Sequence, residues 1–320
     1  MKTDRPSSTS LLIARALLLA DATPAWRSLL IGDTAALTRR LLDAAEPAAW
    51  FELALRHPLL RRFLFATEHL LLPGILLHYL VRKRALDALV HEALDAGCQQ
   101  VVVLGAGLDT LAWRLPAARV SFEMDHPATQ AIKRRLSRSD WSDESDRSDS
   151  PNRQTASSPR QVPYGPGPVL IAADLLHGSV AELLRAEAQF VPDQPTLYVA
   201  EGLLMYLPPA RVAELFTELA ALSAPGSRFA FTFMEARPDR PIGFHNQRRV
   251  IDWWLRWRAE PFHWALTRPD VETFAVQHGW KLASLSSPEE LRRLFLTPAG
   301  LGTAPLATGE SVAMAYLRER

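Results

Sequence analysis

The chain has two hydrophobic periodicities, and one replaces the other near residue 97. Residues 8 to 96 are rich in leucine and alanine, and arginine and glutamate recur between the apolar positions at helical spacing. The last of these segments ends in Asp95-Ala96-Gly97, and glycine is a common residue just beyond a helix C terminus. The pattern therefore predicts an N-terminal helical cap over residues 1–96.

From residue 97 onwards, short apolar runs alternate with helical stretches such as TLAWRL, PATQAIKRRL and ARVAELFTELAAL. The runs are nearly continuous in apolar residues, which is typical of strands covered on both faces of a parallel sheet. The seven runs are QVVVLG, ARVSFEMD, PVLIAAD, PTLYVAE, SRFAFTFME, WKLASLS and SVAMAYLRE. The predicted fold is α/β, with a doubly wound, seven-stranded, mostly parallel Rossmann-like sheet over residues 97–320 that forms one compact unit with the cap.

Two segments interrupt this alternation. Residues 137–161 are rich in serine, aspartate and arginine and contain almost nothing to bury, which predicts a disordered surface loop. Residues 241–266 are aromatic and helical, and they predict an inserted lid, although a packed core helix would give the same pattern. Trp253 and Trp257 share one helical face. We predict that these two residues bind the substrate together with Tyr206 and His245.

Composition narrows the possible partners. Hydrophobic residues make up 48 % and charged residues 22 % of the chain, and Lys plus Arg number 36 against 35 for Asp plus Glu. A near-zero net charge argues against nucleic acid or a membrane as a partner. The single cysteine, Cys98, excludes an internal disulfide and a cysteine-built zinc site, and we expect no metal. A cytoplasmic protein with a small-molecule substrate is therefore expected.

A twin-glycine turn follows the first predicted strand, in the sequence VVVLGAGLDTLAWRL. A dinucleotide-binding turn has glycine at a third place, where it packs a helix whose N terminus meets the pyrophosphate. Here Thr110 follows Gly105 and Gly107 in that register, and Asp109 adds a negative charge that would repel pyrophosphate. These residues favour S-adenosylmethionine over NAD(P) as the ligand.

Four predicted strands end in an acidic residue: Asp125, Asp174, Glu201 and Glu235. At the carboxyl ends of parallel strands such side chains face the ligand crevice and can accept hydrogen bonds from hydroxyl or amine groups. Any one of them could instead only cap the following helix. Asp125, at the end of the second strand, is in the position that holds ribose hydroxyls in both dinucleotide and nucleoside sites.

Taken in order, these motifs resemble a known family. VRKRALDALV, LGAGLDT, FEMDHP, AADL and EGLLMYL are similar to the leucine carboxyl methyltransferase family, a branch of the class I S-adenosylmethionine-dependent methyltransferases that includes bacterial polyketide O-methyltransferases. The resemblance covers about residues 75–235. Many relatives have arginine where this chain has Leu111. If that arginine contacts the substrate in the relatives, this chain is expected to take a different acceptor.

The resemblance implies S-adenosyl-L-methionine as cofactor and a role for each matched position. Arg82 would pair with the methionine carboxylate and Glu201 with its ammonium group. Asp125 would hold the ribose, and Asp174 and Leu175 would contact the adenine. Gly105 and Gly107 would let the backbone approach the methionyl part, with Asp109 completing the turn.

Methyl transfer from a sulfonium mainly requires alignment of the two reacting groups and exclusion of water. A carboxylate acceptor needs no base, a phenol needs one, and the sequence contains no convincing catalytic dyad. We therefore predict an O-methyltransferase whose small-molecule acceptor is a carboxylate or a polyketide-like aromatic metabolite, without naming a catalytic residue. An NAD(P)-dependent oxidoreductase and a non-catalytic protein that keeps the cofactor-binding fold remain the alternatives.

Overall fold

The computed structural model describes residues 6–136, 167–257 and 260–317. The predicted loop at 137–161 lies outside these residues. Seven strands form one sheet in the order β3-β2-β1-β4-β5-β7-β6, and β7 alone runs antiparallel to its neighbours. The strands are β1 (Gln100–Leu104), β2 (Val120–Asp125), β3 (Val169–Ala172), β4 (Thr196–Ala200), β5 (Arg228–Met234), β6 (Trp280–Ser286) and β7 (Glu310–Leu317). The predicted α/β class, strand number and mostly parallel arrangement are confirmed.

Twelve helices of the described chain cover the sheet and build the cap. They are α1 (Ser8–Asp21), α2 (Pro24–Arg27), α3 (Thr34–Ala45), α4 (Ala49–Arg56), α5 (Pro58–Leu71), α6 (Ile75–Asp95), α7 (Pro127–Arg135), α8 (Val180–Ala186), α9 (Pro209–Leu222), α10 (Arg249–Trp257), α11 (Arg268–Gln277) and α12 (Pro288–Leu291). No single helix among the described residues is long and apolar enough to cross a membrane. The bent pair of α5 and α6 passes that test of length and composition only when the two are taken together.

The core lies on both faces of the sheet because alternate residues of each strand point to opposite sides. On one face Val102 and Phe122 pack with Leu215 of α9. On the other face Val101 packs with Leu80 of α6. The predicted boundary at residue 96 therefore separates α6 from a sheet against which it packs directly.

One predicted helix is wrong. The segment TLAWRL between β1 and β2 forms only a single 3₁₀ turn, Ala112–Arg114. Pro116 explains the difference, because proline disfavours helical backbone in the residue before it and lacks an amide hydrogen. Leu115 is accordingly extended. No α-helix therefore begins at the glycine turn.

Candidate functional site

A cavity of about 610 Å³ opens at the carboxyl ends of the central strands, beneath the helical cap. Helices α1, α5 and α10 contribute Ile13, Leu64 and Ile251 to its walls. Nine residues singled out from the sequence line this one cavity: Arg82, Gly105, Gly107, Asp109, Asp125, Asp174, Leu175, Glu201 and Tyr206. Residues far apart in the sequence are thus brought together.

The glycine turn has a conformation and surroundings that require glycine. Gly105 and Gly107 have φ values of +63° and +50°, which favour residues without a Cβ. A Cβ on Gly105 would lie 2.8 Å from Leu203 Cδ1, and one on Gly107 would lie 3.1 Å from Ser10 Cβ. Side chains at these two positions would collide with Leu203 and Ser10, so Gly105 and Gly107 line the cavity with backbone atoms alone.

Asp125 fixes this turn. Its Oδ2 accepts a hydrogen bond from the Gly107 amide at 2.6 Å, and its Oδ1 accepts one from the His126 amide at 2.6 Å. The carboxylate also lines the cavity. Asp125 therefore links the ends of β1 and β2 and presents acceptor oxygens at the crevice, as the strand-end position predicts.

A buried ion pair between Lys133 and Glu123 contacts the glycine turn. Lys133 Nζ donates to Glu123 Oε2 at 2.6 Å and to the Asp109 carbonyl at 3.0 Å, and both side chains are fully buried. Burial raises the pKa of the Glu123 carboxyl to about 7, although the Lys133 ammonium opposes the shift. This pair was not predicted from the sequence, because Glu123 lies inside an apolar strand and Lys133 lies on a helix with no unusual pattern.

Five charged side chains form a chain across the cavity floor. Arg82 Nη1 donates to both carboxylate oxygens of Glu310, at 3.0 and 2.9 Å, and its Nε donates to Glu201 Oε1 at 2.9 Å. Lys83 Nζ lies 3.1 Å from Glu201 Oε2 and 2.9 Å from Asp109 Oδ1. Arg82 Nη2 takes part in none of these bonds.

This network changes the electrostatic argument made from the sequence. Lys83 offsets the charge of Asp109, so repulsion of pyrophosphate by Asp109 alone is weaker than predicted. The stronger argument against a dinucleotide is the missing helix after β1, because pyrophosphate binding relies on a helix N terminus. Leu111, where relatives often have arginine, is buried in the core beside α6 and does not line the cavity.

The ion pairs also shift acidities. Burial alone would raise the pKa of the Glu310 carboxyl, but Arg82 and His78 together hold it at about 2. The pKa of Asp109 is likewise held at about 2, by Lys83 and Arg114 against the effect of burial. The charges of Glu310 and Glu201 outweigh burial and raise the pKa of Arg82. All these groups are therefore ionised at neutral pH.

These shifts predict an acid-sensitive fold. Both carboxyls have folded pKa values below their ordinary values of 3.8 and 4.5, so they stabilise the protein above those values, and this stability is lost as the pH falls towards 2. We expect the thermal unfolding midpoint to drop steeply in this range. Glu310→Gln, followed by scanning calorimetry over the same range, should give a shallower drop. A slope equal to that of the native chain would contradict the assignment.

The four strand-end acids do not behave alike. Asp125, Asp174 and Glu201 line the cavity, whereas Glu235 does not and instead accepts a hydrogen bond from Ser311. Asp174 also receives the amide of Leu176 at 3.0 Å, and its side chain is half exposed. The prediction that all four face one crevice is therefore wrong for Glu235, whose carboxylate is instead held by Ser311 of β7.

The upper part of the cavity is apolar. Its aliphatic and aromatic lining comes from the cap, the β4 end and the segment around α10: Leu12, Ile13, Leu64, Leu71, Leu72, Ile75, Met205, Tyr206, Phe244, Ile251 and Phe262. The Tyr206 hydroxyl donates to Thr9 Oγ1 at 3.3 Å, and burial raises its pKa. Glu260 accepts the amide of Ser8 at 2.9 Å, which fastens the start of α1 over the cavity.

Three predicted substrate residues lie outside this lining. His245 donates its amide to the Thr308 carbonyl and contacts Gly309, away from the cavity wall. Trp253 and Trp257 stack on each other, with ring centroids 6.3 Å apart, and are 61 % and 64 % exposed. The lid segment reaches the cavity through Phe244 and Ile251 instead, because the helical face that carries the tryptophans points to solvent.

Glu310 and Lys83 are cavity residues that the sequence did not indicate, whereas Phe244 lies in the aromatic segment predicted to reach the acceptor. Glu310 begins the last strand, 228 positions after its partner Arg82, and only the antiparallel insertion of β7 beside β5 brings them together. Among the described residues there is no group of three or more histidine, cysteine or acidic side chains that could hold a metal ion.

The comparisons with known proteins agree with this geometry. The family model described as leucine carboxyl methyltransferase matches residues 13–220. A Mycolicibacterium smegmatis protein named as a proposed S-adenosyl-L-methionine-dependent methyltransferase is 34 % identical over 221 residues, which are 66 % of this chain and 64 % of that protein. A Mycobacterium tuberculosis protein of the same name is 33 % identical over 67 % of this chain and 62 % of its own length. The match thus spans less than two thirds of these relatives.

Two solved structures share the overall fold. A protein from Thermobifida fusca, described as a proposed methyltransferase, superposes with a TM-score of 0.55 at 15 % identity and covers 99 % of this chain and 97 % of its own. A DUF574 family protein from Streptomyces avermitilis gives 0.54 at 14 % identity, over 87 % and 96 % of the two chains. At such identity the similarity shows the fold alone. The family model, however, matches well over half of the chain, including the glycine turn and three of the strand-end acids, and the chain therefore belongs to the leucine carboxyl methyltransferase family.

Proposed function

We propose that this chain transfers a methyl group from S-adenosyl-L-methionine to an oxygen of a small, apolar acceptor. The observation that carries the proposal is the continuity of one cavity, which runs from the twin-glycine turn and Asp125 into an apolar chamber beneath the cap. A two-substrate reaction needs both ligands in one water-poor space. That the protein works in the cytoplasm stays a prediction.

The lining fits a nucleoside that carries an amino acid and no phosphate. Gly105 and Gly107 line the cavity with backbone atoms alone, and no helix N terminus follows them to bind pyrophosphate. In the proposed assignment Asp125 accepts bonds from ribose hydroxyls, and Asp174 with Leu175 contacts adenine. Asp109 completes the turn. When bound, the cofactor supplies an activated methyl group on a sulfonium.

Arg82 and Glu201 would contact the amino-acid end of the cofactor. They already pair with each other at 2.9 Å, so a zwitterionic ligand would meet opposite charges held side by side. Glu310 accepts two further hydrogen bonds from Arg82 Nη1. The charged side chains proposed to bind the carboxylate and the ammonium group of the cofactor are therefore already held next to each other.

The charge of the lining favours an uncharged acceptor over the carboxylate left open by the sequence. Within the described part of the cavity, Arg82 and Lys83 are the only Lys or Arg side chains, and both already pair with carboxylates. The acidic side chains of the lining are Glu68, Asp109, Asp125, Asp174, Glu201, Glu260 and Glu310. This field attracts a sulfonium and repels a second anion.

The apolar walls would orient such an acceptor and exclude water from the reacting atoms. A hydroxyl acceptor loses its proton as its oxygen attacks the methyl carbon. Glu68 of α5 lines the cavity beside the apolar residues Leu64 and Leu71, and burial raises the pKa of its carboxyl, which suits it to accept that proton.

An acceptor screen tests this proposal. Purified protein would be incubated with methyl-tritiated S-adenosylmethionine and matched pairs of aromatic compounds, one member carrying a hydroxyl group and the other a carboxylate. We expect label transfer to uncharged hydroxyl compounds with fused or extended rings. Transfer to the carboxylates alone would contradict the acceptor class and leave methyl transfer intact.

Filling the apolar chamber should weaken acceptor binding selectively. Leu64 lines the cavity on α5, so Leu64→Trp is expected to raise the acceptor KM about tenfold or more. Binding of S-adenosylhomocysteine, measured by calorimetry, should stay unchanged. Phe63→Trp, at the exposed neighbouring position, is the matched control and should alter neither quantity. Equal effects at both positions would place the acceptor elsewhere.

A further inference from the structure

The exposed large apolar side chains of the described chain are concentrated on two neighbouring helices. Six of them lie on α4 and α5, and their exposed fractions run from 38 to 70 %. We define them as the apolar face: Trp50, Leu53, Leu59, Leu60, Phe63 and Leu70. Helix α5 has fourteen residues and buries none of them fully. A helix of this kind is unusual unless a partner covers it.

The α5 part of the apolar face is the outer side of a helix that lines the cavity. The other stripe of α5, which includes Leu64 and Leu71, lines the chamber from inside. The α10 segment joins the same region, because the Arg248 amide donates to the Leu71 carbonyl at 3.0 Å. Trp253 and Trp257 of α10 are exposed there as well. Apolar side chains are therefore exposed on the outer sides of α5 and α10, the two helices that enclose the chamber here.

Among the described residues, the exposed charged side chains on α4 and α5 and just before Val250 are arginines, whereas Asp43 and Glu46 are exposed on the segment that precedes α4. Arg56 and Arg62 are exposed on α4 and α5, and Arg248 and Arg249 are exposed at the start of α10. The nearby acids are paired or lie in the cavity wall: Glu52 is 36 % exposed and pairs with Arg39, Glu46 pairs with Arg15, and Glu68 lines the cavity. Leucine, phenylalanine and tryptophan next to arginine form the composition of helices that lie in the surface of a lipid bilayer.

We propose that the apolar face docks on the surface of a lipid bilayer that carries anionic headgroups. Charge selects this occupant over a second copy of the chain. A two-fold dimer brings two copies of the patch together, so it doubles the number of arginines within one interface. An anionic lipid surface instead complements these arginines while Leu59 and Phe63 enter its apolar boundary.

The near-zero net charge of the whole chain predicted no membrane partner. The net charge of a chain, however, does not give the charge of one part of its surface. Peripheral binding depends on local apolar area and local charge. If the proposed function holds, docking would place the apolar chamber beside a reservoir of lipophilic acceptors. The docking itself does not depend on that function and is tested without any acceptor.

Vesicle sedimentation tests the proposal with the full chain. The vesicles would contain phosphatidylcholine alone, or two parts phosphatidylcholine to one part phosphatidylglycerol. We expect the protein to sediment with the anionic vesicles, less with the neutral ones, and less again at high salt, because screening weakens the attraction. Protein that stays in solution with both kinds of vesicle would overturn the proposal.

Variants separate the apolar and the electrostatic parts. The double variant Leu59→Ser and Phe63→Ser should lower the vesicle partition coefficient about tenfold or more for each side chain. Arg56→Gln with Arg62→Gln should lower it about fivefold per arginine on anionic vesicles only. Leu294→Ser, at an equally exposed leucine of another surface, is the control and should bind like the native chain.

Two further readouts complete the test. Each variant should keep its thermal midpoint and its binding of S-adenosylhomocysteine, because none of these residues lines the cavity. Light scattering would report the mass in solution. The lipid assignment would be overturned if the native protein does not bind vesicles and forms a dimer that Phe63→Ser dissociates. The apolar face would then be the contact with a second copy.

Discussion

Replacing Glu310 with glutamine is expected to lower the free energy of unfolding by about 3–5 kcal/mol at neutral pH, because one partner of a buried ion pair is removed. Glu310 is fully buried and receives two hydrogen bonds from Arg82 Nη1, and His78 Nε2 lies 2.7 Å from it. The substitution keeps the size of the side chain and removes its charge. The Arg82 guanidinium is then buried with Glu201 as its remaining carboxylate partner.

Chemical denaturation of the purified variant measures this effect. Glu92→Gln is a suitable control, because Glu92 makes a surface ion pair with Arg228 and is 59 % exposed. Exposed pairs contribute about 0–1 kcal/mol, so the control should unfold much like the native chain. A Glu310→Gln variant as stable as this control would mean that the cavity-floor network does not hold Arg82 in place.

Asp125→Ala is expected to weaken the binding of S-adenosylhomocysteine by about 1.5–3 kcal/mol, the scale of hydrogen bonds to a charged group. The carboxylate is the proposed acceptor for the ribose hydroxyls, and it also holds the amides of Gly107 and His126. Asp125→Asn keeps one acceptor oxygen and should lose less affinity.

Calorimetric titration of both variants gives the affinities, and their thermal midpoints separate ligand contact from support of the turn. An alanine variant that binds with native affinity would remove Asp125 from the site. A loss that follows the drop in thermal midpoint in both variants would make Asp125 a purely structural residue.

The sequence predicted the sheet well for a physical reason. A strand buried on both faces needs a continuous apolar run, and Val101 to Leu104 is such a run in full burial. The ends of these strands were equally predictable, because glycine and acidic residues are disfavoured inside a sheet covered on both faces, where Glu123 needs the buried ammonium group of Lys133. Gly105, Asp125 and Glu201 therefore lie where the pattern places them.

What the sequence could not supply depends on contacts between distant segments. Glu310 and Lys133 lie within ordinary strand and helix patterns, and only the fold brings them to Arg82 and Asp109. The helical face shared by Trp253 and Trp257 was identified from periodicity, but periodicity does not tell which side of the helix meets the protein. In the structure this face points to solvent and does not line the cavity.

The central claim is that the glycine turn and the acids at the strand ends hold a nucleoside without phosphates. Calorimetric titration of the native chain with S-adenosylhomocysteine and, separately, with NADH tests it most directly. We predict saturable one-to-one binding of S-adenosylhomocysteine and no heat of binding from NADH. Saturable binding of NADH, with none of S-adenosylhomocysteine, would contradict the account.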